Sequence, residues 1–462
     1  MGEDTVTETL LDDLRAAVGA SHVETGDSIH PDLTHDECLT VEAHAPAVAV
    51  HPGETAEVVA VVRAAGAARV PVTARGAGTG LSGSATPAHD GVLVVFDRMD
   101  AILEIDTENH TATVQPGLTL DRLDEALAPL GLVYPVFPGE YSASLGGNVN
   151  TNAGGMRAVK YGVTRQHVLG LEVVLADGTC LRTGGKFVKS SNGYDLTQLI
   201  VGSEGTLALV TEVTIKLQPR LPHAATVLAP FGTLDEVTAA VPRIVDSGIG
   251  PRILEYIDLL TLSAMTSASN IELGIPSEIR ESALAYLVVV LESTHEDRLD
   301  ADVETLAIHL AELGALDVFV LPAHAATQII ELRERAFWLA KANGANDIVD
   351  TVVPRANIPE FMAKVSSLAN ESGSWIAGCG HAGDGNVHLG LFQADPEVRA
   401  TVLHGIFDAA RSVGGAISGE HGIGRAKRSY FLELEDPAKL ELMRRIKSAF
   451  DPNGILNPGV MI

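Results

Sequence analysis

Four glycine-rich turns crowd into residues 75–206, and they constrain the fold more than any other feature of this 462-residue chain. Glycine lets a backbone approach a ligand closely, at an entropic cost that four plain connectors would carry for nothing. The first cluster is Arg75-Gly-Ala-Gly-Thr-Gly-Leu-Ser-Gly83, and the second runs from Pro138-Gly139 through Ser142-Ala-Ser-Leu-Gly146-Gly147-Asn148 to Thr151-Asn152-Ala-Gly154-Gly155. Tyr161-Gly162 and Gly202-Ser-Glu-Gly205-Thr206 complete the set. Gly78, Gly80 and Gly83 match the GxGxxG spacing, but a Rossmann loop must open a helix. Here Ser84-Ala-Thr-Pro87-Ala-His-Asp-Gly91 follows and cannot form one. A phosphate-binding Walker loop fails as well, since Gly184-Gly185-Lys186 has Cys180 where the first glycine belongs. What survives is a set of loops whose N–H groups can converge on a phosphate as an anion nest. Ser142, Ser144, Asn148 and Asn152 would add hydrogen bonds to a large, flat, phosphorylated ligand.

Around these loops the hydrophobic pattern separates several regions. Residues 1–45 read as a helical lead-in, with Leu10, Leu11, Leu14 and Val18 at helical spacing. Strand, helix and strand signals over Val48–Val50, Thr55–Ala65 and Val70–Thr73 open a βαβ unit, and strands dominate to Leu217, with a hairpin turn at Asp177-Gly178. A boundary falls at Pro219–Pro222, so residues 46–220 form one domain. Residues 221–425 read as a second domain, an antiparallel sheet with helices on one face, and Thr327–Lys341 as one of its helices. Residues 426–462 form a C-terminal segment. With 32 Lys+Arg against 60 Asp+Glu, the net charge of −28 disfavours nucleic acid and anionic lipid as partners. No apolar run reaches the ~18 residues of a membrane span, and the start MGEDTVTETLLDDL is acidic, unlike a secretory signal. Cys38, Cys180 and Cys379 lie far apart, which supports no disulfide framework. A cytoplasmic location is expected.

A second constellation lies near the C-terminus. Trp375–Gly380 and Val387–Phe392 read as strands joined by Ala382-Gly-Asp-Gly-Asn386, which makes His381 and His388 cross-strand neighbours. Two imidazoles at that spacing form a metal clamp, and Glu420, in Ser418-Gly-Glu-His-Gly422, is the candidate oxygen ligand. Two His plus one carboxylate leave open positions, which suits substrate binding better than a closed structural site. The bland reading is a pair of packed core histidines. Asp384 and Asn386 read as turn residues or orienters, and Cys379 is placed on the opposite face and left out of the ligand set. In an extended segment His421 would point away from Glu420, free of the ion.

Taken together, ARGAGTGLSG, PGEYSASLGGNVNTNAGG, KYGVTRQHVLGLEVVLADGT and GSEGTLALVTEV resemble the FAD-binding domain of the vanillyl-alcohol oxidase/p-cresol methylhydroxylase superfamily. GHAGDGNVH and SGEHGIG are similar to the D-lactate dehydrogenase/glycolate oxidase catalytic-subunit branch. The resemblance implies an α+β fold: a two-subdomain FAD-binding domain, a ferredoxin-like antiparallel cap and a C-terminal segment that returns to the first domain at Asn457. It places the FAD pyrophosphate on Arg75, Gly76, Ala77, Gly78, Thr79 and Gly80. The flavin would lie near Pro138, Gly139, Ser142, Leu145, Gly146, Gly147, Asn148, Thr151, Asn152, Gly154 and Gly155, with Tyr161, Gly162, Glu204, Gly205 and Val210 beside it. Some relatives attach the flavin through a His or Cys in the first loop; Gly78 and Thr79 stand there, so FAD is expected to be non-covalent.

By the same resemblance one divalent ion (Zn, Mn or Fe) sits on His381, His388 and Glu420, His421 is the general base, and Arg333 binds the substrate carboxylate. The bland alternative for Arg333 is a solvated helix face beside Glu331, Glu334 and Arg335. The implied reaction is oxidation of a D-2-hydroxy acid or glycolate to the 2-oxo acid. Relatives that oxidise 2-hydroxyglutarate hold the second carboxylate with a Lys and an Asn at positions that here are Ile348 and Gly390, which points to a small monocarboxylate, with room for a longer apolar side chain. Two rivals remain: a same-fold flavoprotein with other chemistry, such as a phenol or alcohol oxidase, and a non-catalytic flavin-binding subunit. The electron acceptor stays open among a quinone, a cytochrome, a flavoprotein and an iron–sulfur partner, through which the chain would sit at a membrane periphery. A homodimer is compatible with the sequence.

Overall fold

The valine-rich runs at residues 48–50 and 92–95 become the buried centre of the first sheet. The computed structural model describes residues 6–269 and 273–462. The first five residues of the acidic start lie outside that range. β1 (Val23–Thr25), β2 (Val48–Val50), β3 (Val72–Arg75) and β4 (Val92–Val95) lie in the order β1-β2-β4-β3. β2, β4 and β3 are parallel, and β1 is antiparallel to β2. Every residue of β2 and β4 is buried, as a parallel sheet covered on both faces requires. The helix Thr55–Ala68 makes the crossover between β2 and β3. Leu10, Leu14 and Val18 of the helix Glu8–Val18 join the same core, so the lead-in supplies both a helix and the strand β1.

β5 (Ile102–Asp106), β6 (Thr111–Val114), β8 (Val168–Val174), β9 (Cys180–Gly184) and β10 (Leu209–Lys216) form an antiparallel sheet in the order β5-β6-β10-β8-β9. The β8–β9 hairpin turns where Asp177-Gly178 predicts, with Gly178 at φ +76°. β7 (Leu132–Val133) and β11 (Gln218–Pro219) make a short ribbon. The second glycine cluster is not all loop. Leu145–Thr151 is a short helix, with Ser144 as its N-cap.

The third sheet is antiparallel throughout and has seven strands. It comprises β12 (His223–Phe231), β13 (Ile253–Asp258), β14 (Ala285–Ser293), β15 (Phe319–Val320), β16 (Asp347–Val352), β17 (Trp375–Gly380) and β18 (Asn386–Phe392). The order is β15-β12-β14-β13-β17-β18-β16. Helices cover both of its faces, against the single covered face expected. Leu234–Asp246, Glu296–Glu312, Ile358–Ser372 and Pro396–Ser412 pack on one side, and residues of Leu259–Ser269 and Ala323–Glu334 on the other. The cause is legible in β14, whose run Ala285–Leu291 is apolar and buried on both alternating faces. The expected helix Thr327–Lys341 is two helices, Ala323–Glu334 and Ala336–Ala342, separated by Arg335 at φ −85°, ψ 8°.

The chain then returns to the first sheet. Val72 N donates to Ile455 O (2.7 Å), Asn457 N donates to Val72 O (2.8 Å), and Leu456 is fully buried in the first core.

Candidate active site

Two cavities meet at Glu420 and His421, which line both. The first is walled by backbone. Gly76 to Gly80 form one side, and Gly146, Gly147, Asn148 and Gly154 the opposite one. The two walls are keyed together: Ser144 Oγ accepts from Ala77 N (3.2 Å), and a Cβ on Gly76 would stand 2.0 Å from that hydroxyl. Glu204 closes the base from a left-handed conformation, φ +52°. Its buried carboxylate accepts from Ile423 N (2.8 Å), Gly424 N (2.7 Å) and Ser84 Oγ, which ties the loop carrying His421 to the end of the first glycine cluster.

The second cavity holds the histidines. Glu420 Oε1 lies 3.1 Å from His381 Nε2 and 3.2 Å from His388 Nε2. The three ligand atoms are within 4.8 Å of one another. His388 pairs across the ladder with Cys379 and Asp350, and His381 lies just past the end of β17, yet the two rings still meet with centroids 4.8 Å apart. Burial opposes charge on His381, but the carboxylates of Glu255 and Glu420 outweigh it and push its pKa up to about 10. Burial also opposes ionisation of Glu420, and the two histidines overcome it to hold the carboxyl below the usual carboxylate range.

Asp350, with no exposed surface, organises the loop that follows. Its Oδ2 accepts from the backbone N–H groups of Gly419 (3.1 Å), Glu420 (3.1 Å) and His421 (2.8 Å) and from Ser418 Oγ (2.8 Å), and Asn386 Nδ2 donates to Oδ1 (2.7 Å). Lys427 Nζ stands 3.4 Å away. Three successive N–H groups on one carboxylate curl the segment, so Glu420 and His421 do not point apart as an extended chain would. Glu420 reaches both Nε2 atoms, and the His421 ring stacks on His388 at 5.2 Å and 30°. Burial pulls the His421 pKa down to about 4, which leaves the ring neutral at pH 7. Asp350, His388 and His421 form a second cluster of possible ligands. Its carboxylate oxygens are already saturated by N–H and O–H donors, whereas Glu420 Oε1 meets only imidazole nitrogen.

Arg333 is buried, not on a solvated helix face; its Nε is 2.7 Å from Glu255 Oε2, and it lines the second cavity with both histidines. Cys379 lies two residues before His381, hence on the same face, and also lines this cavity; its expected opposite orientation is corrected by the ladder itself.

Residues 46–184 match the FAD binding domain model, and residues 220–461 match the model for the C-terminal domain of FAD linked oxidases. The chain belongs to the FAD-linked oxidase family. It is 57% identical over 444 residues, covering 96% of this chain and 97% of the relative, to an uncharacterized FAD-linked oxidoreductase of Mycobacterium tuberculosis. It is 36% identical to a D-lactate dehydrogenase of Anaerostipes hadrus, covering 96% and 95%. The crystal structure of p-cresol methylhydroxylase with substrate bound superposes with a TM-score of 0.79 at 19% identity, covering 98% and 97%, which confirms the vanillyl-alcohol oxidase type of fold.

The first cavity suits the FAD of this family. Its glycine walls leave backbone exposed to a ligand, and the buried Asn148 Nδ2, in the lining, lacks a protein partner. The donor set of the second cavity suits a divalent ion: two imidazoles and one carboxylate, with the carboxylates that hold a proton on His381 favouring a cation in its place. Of the residues read for FAD in this FAD-linked oxidase, Gly76 to Gly80, Pro138, Gly146, Gly147, Asn148, Thr151, Gly154, Glu204, Gly205 and Val210 line the first cavity, and Gly139 lines the second.

The others do not line the first cavity, each for a local reason. Arg75 turns back under its own loop and donates to His35 O (2.5 Å). Leu145 is a core residue, and Ser142 turns to Glu140. Asn152 caps the short helix and accepts from Arg165 N, while Gly155 sits against the backbone of Phe137. The Tyr161 hydroxyl bonds Glu292 of the third sheet, and Gly162 packs on Gln166. Asn457 acts one step behind the cavity, donating to Ser84 O (2.9 Å) and Glu204 O (2.7 Å). Sequence reasoning missed Glu255 and Asp350. The available signal was a lone acid inside an apolar strand, Ile253-Leu-Glu-Tyr-Ile257 and Ile348-Val-Asp-Thr-Val352. Among the described residues no helix is long and apolar enough to cross a membrane.

Proposed function

We propose that the chain oxidises a D-2-hydroxy acid such as D-lactate, or glycolate, to the 2-oxo acid, with FAD held non-covalently and one divalent ion on His381, His388 and Glu420. The observation that carries this reading is the junction of the two cavities at Glu420 and His421, which sets a candidate cation site and a neutral imidazole beside the glycine-walled cavity. The D-lactate dehydrogenase relative supports the substrate class. When bound, FAD supplies the two-electron acceptor and the divalent ion supplies Lewis acidity toward the substrate oxygens.

The rest falls to the chain. Arg333 offers its buried guanidinium, with Nη2 lacking a protein partner, to the substrate carboxylate. His421 takes the hydroxyl proton, and loss of that proton with the carbinol hydrogen and its electron pair leaves the 2-oxo acid. Ile348 and Gly390 are ladder partners, and both line the cavity, so neither of these two positions offers a cation to a second carboxylate. Leaving such a charge buried and unpaired would cost several kcal/mol. Phe337, Trp338 and Leu389 add apolar surface to the neighbouring wall, with Lys341 Nζ over the two aromatic rings.

Dye-reduction assays over D-lactate, glycolate, D-2-hydroxybutyrate and D-2-hydroxyglutarate test the reading. The monocarboxylates are expected to show kcat/KM at least ~10²-fold above D-2-hydroxyglutarate, about the effect of one unpaired charge. A preference for the dicarboxylate overturns the substrate class. Acid precipitation is expected to release all of the FAD into the supernatant, since Gly78 and Thr79 offer no attachment atom of the His or Cys kind. Flavin that stays with the denatured chain overturns non-covalent binding.

A further inference from the structure

We propose that Glu255 is a positioning residue that sets two parts of the site at once, the direction in which His381 presents its nitrogen and the orientation of Arg333. The inference rests on the reading of His381 as a metal ligand and Arg333 as the carboxylate anchor, and assigns a role to a third residue that neither the glycine loops nor the histidine motifs contain. Glu255 lies on β13, where Leu254 and Tyr256 point into the larger core and the carboxylate points to the opposite face. Tyr256 pairs with Gly380 of β17, which brings the preceding residue of β13 beside His381. Glu255 has no exposed surface. A carboxylate there is tolerable only with compensation on its oxygens, which here is a hydrogen bond on Oε1 and a close ion pair on Oε2. Oε1 is 2.6 Å from His381 Nδ1, and Oε2 is 2.7 Å from Arg333 Nε.

Each contact has a consequence. A carboxylate on Nδ1 requires the ring proton there, so Nε2 turns its lone pair toward Glu420 and the candidate cation position. On the other side, the ion pair at Nε holds the Arg333 guanidinium beside Glu255 without hydrogen-bond geometry, and Nη2 stays buried and without a protein partner, in the cavity that His388 and His421 also line. One side chain therefore fixes the distance between the substrate's carboxylate anchor and one metal ligand, a spacing that a 2-hydroxy acid must match. Glutamine has the same shape but carries only one acceptor and one NH₂ donor, and both partners here are donors. Glu255→Gln therefore cannot satisfy His381 and Arg333 together.

The test uses the FAD-loaded protein stripped with a chelator and titrated with Mn²⁺ alone. In E255Q the Mn²⁺ dissociation constant is expected to rise 10–100-fold, the usual effect of losing a carboxylate behind a ligating histidine. The flavin spectrum and FAD content should be unchanged, because Glu255 lies outside the FAD cavity lining. With Mn²⁺ saturating, KM for the hydroxy acid should rise as well. Wild-type binding of Mn²⁺ with equal binding by E255Q overturns this proposal and leaves the metal site standing, whereas a wild-type protein that takes up no divalent ion overturns both. A measurement on the wild type covers the case in which E255Q does not fold. In the Zn²⁺-loaded protein the imidazole ¹⁵N spectrum should show His381 coordinated through Nε2 with a slowly exchanging proton on Nδ1. Coordination through Nδ1 overturns the proposal.

Discussion

His388→Ala is expected to abolish turnover and strip the divalent ion while the protein stays yellow. His388 Nε2 and His381 Nε2 are the two imidazole atoms beside Glu420 Oε1, and the neighbouring His421 turns its Nδ1 to Asp350 at 4.0 Å. Two ligands on one ion leave it weakly held, so elemental analysis should fall from one ion per chain to a small fraction. Lewis-acid stabilisation is worth several kcal/mol, and loss of about 4 kcal/mol lowers kcat by ~10³. The flavin should persist because His388 contributes nothing to the glycine-walled cavity. Asp350 loses one neighbour at 4.0 Å and keeps its three backbone donors, so the loop under His421 should hold its shape. Full activity in a variant shown to be free of metal would sink the role assigned to the ion, and loss of FAD with the ion would mean that the two cavities fold as one unit.

The parts of this site legible in the sequence are those where local chemistry demands a particular residue at short spacing. Gly76, Gly78 and Gly80 could be read as a ligand cradle because only backbone can approach that closely, and the missing helix after Gly83 is visible in Pro87 and the polar residues around it. The His381–His388 pair was legible because a short hairpin fixes the distance between its ends. Arg75 and Tyr161 stand in the glycine-rich motifs but face away from the cavity, since motif membership does not set side-chain direction. Arg75 packs under its loop so closely that a Cβ on Gly78 would lie 2.0 Å from its guanidinium. The Glu420–His421 step was misread by applying strand geometry to a segment that Asp350, 70 residues earlier, bends into a curl. Glu255 and Asp350 were illegible for the same reason. Their partners come from other strands and loops, and only the third sheet's order brings β13, β17, β18 and β16 side by side.

His421→Asn separates the two ligand sets that the geometry allows. In the set His381, His388 and Glu420, His421 is free to act on the substrate; in the set Asp350, His388 and His421, it is a ligand. The first is favoured because the Asp350 oxygens are occupied by Gly419 N, Glu420 N, His421 N, Ser418 Oγ and Asn386 Nδ2. Three of those donors are backbone, so they survive any substitution at position 421, and Glu420 should keep its place beside both Nε2 atoms. The variant is therefore expected to retain one divalent ion per chain and its FAD. Its flavin reduction by substrate, followed by anaerobic stopped flow, should slow by ~10²–10⁴, the usual contribution of a positioned general base. Asparagine keeps a polar group against His388 but cannot accept the hydroxyl proton at pH 7, whereas the native ring, held neutral by burial, can. Substrate KM should change little, because Arg333 and the three proposed metal ligands are untouched. Loss of the ion in His421→Asn would transfer the metal to the Asp350 set and leave Glu420 as the candidate base, while an unchanged reduction rate would remove His421 from the chemistry altogether.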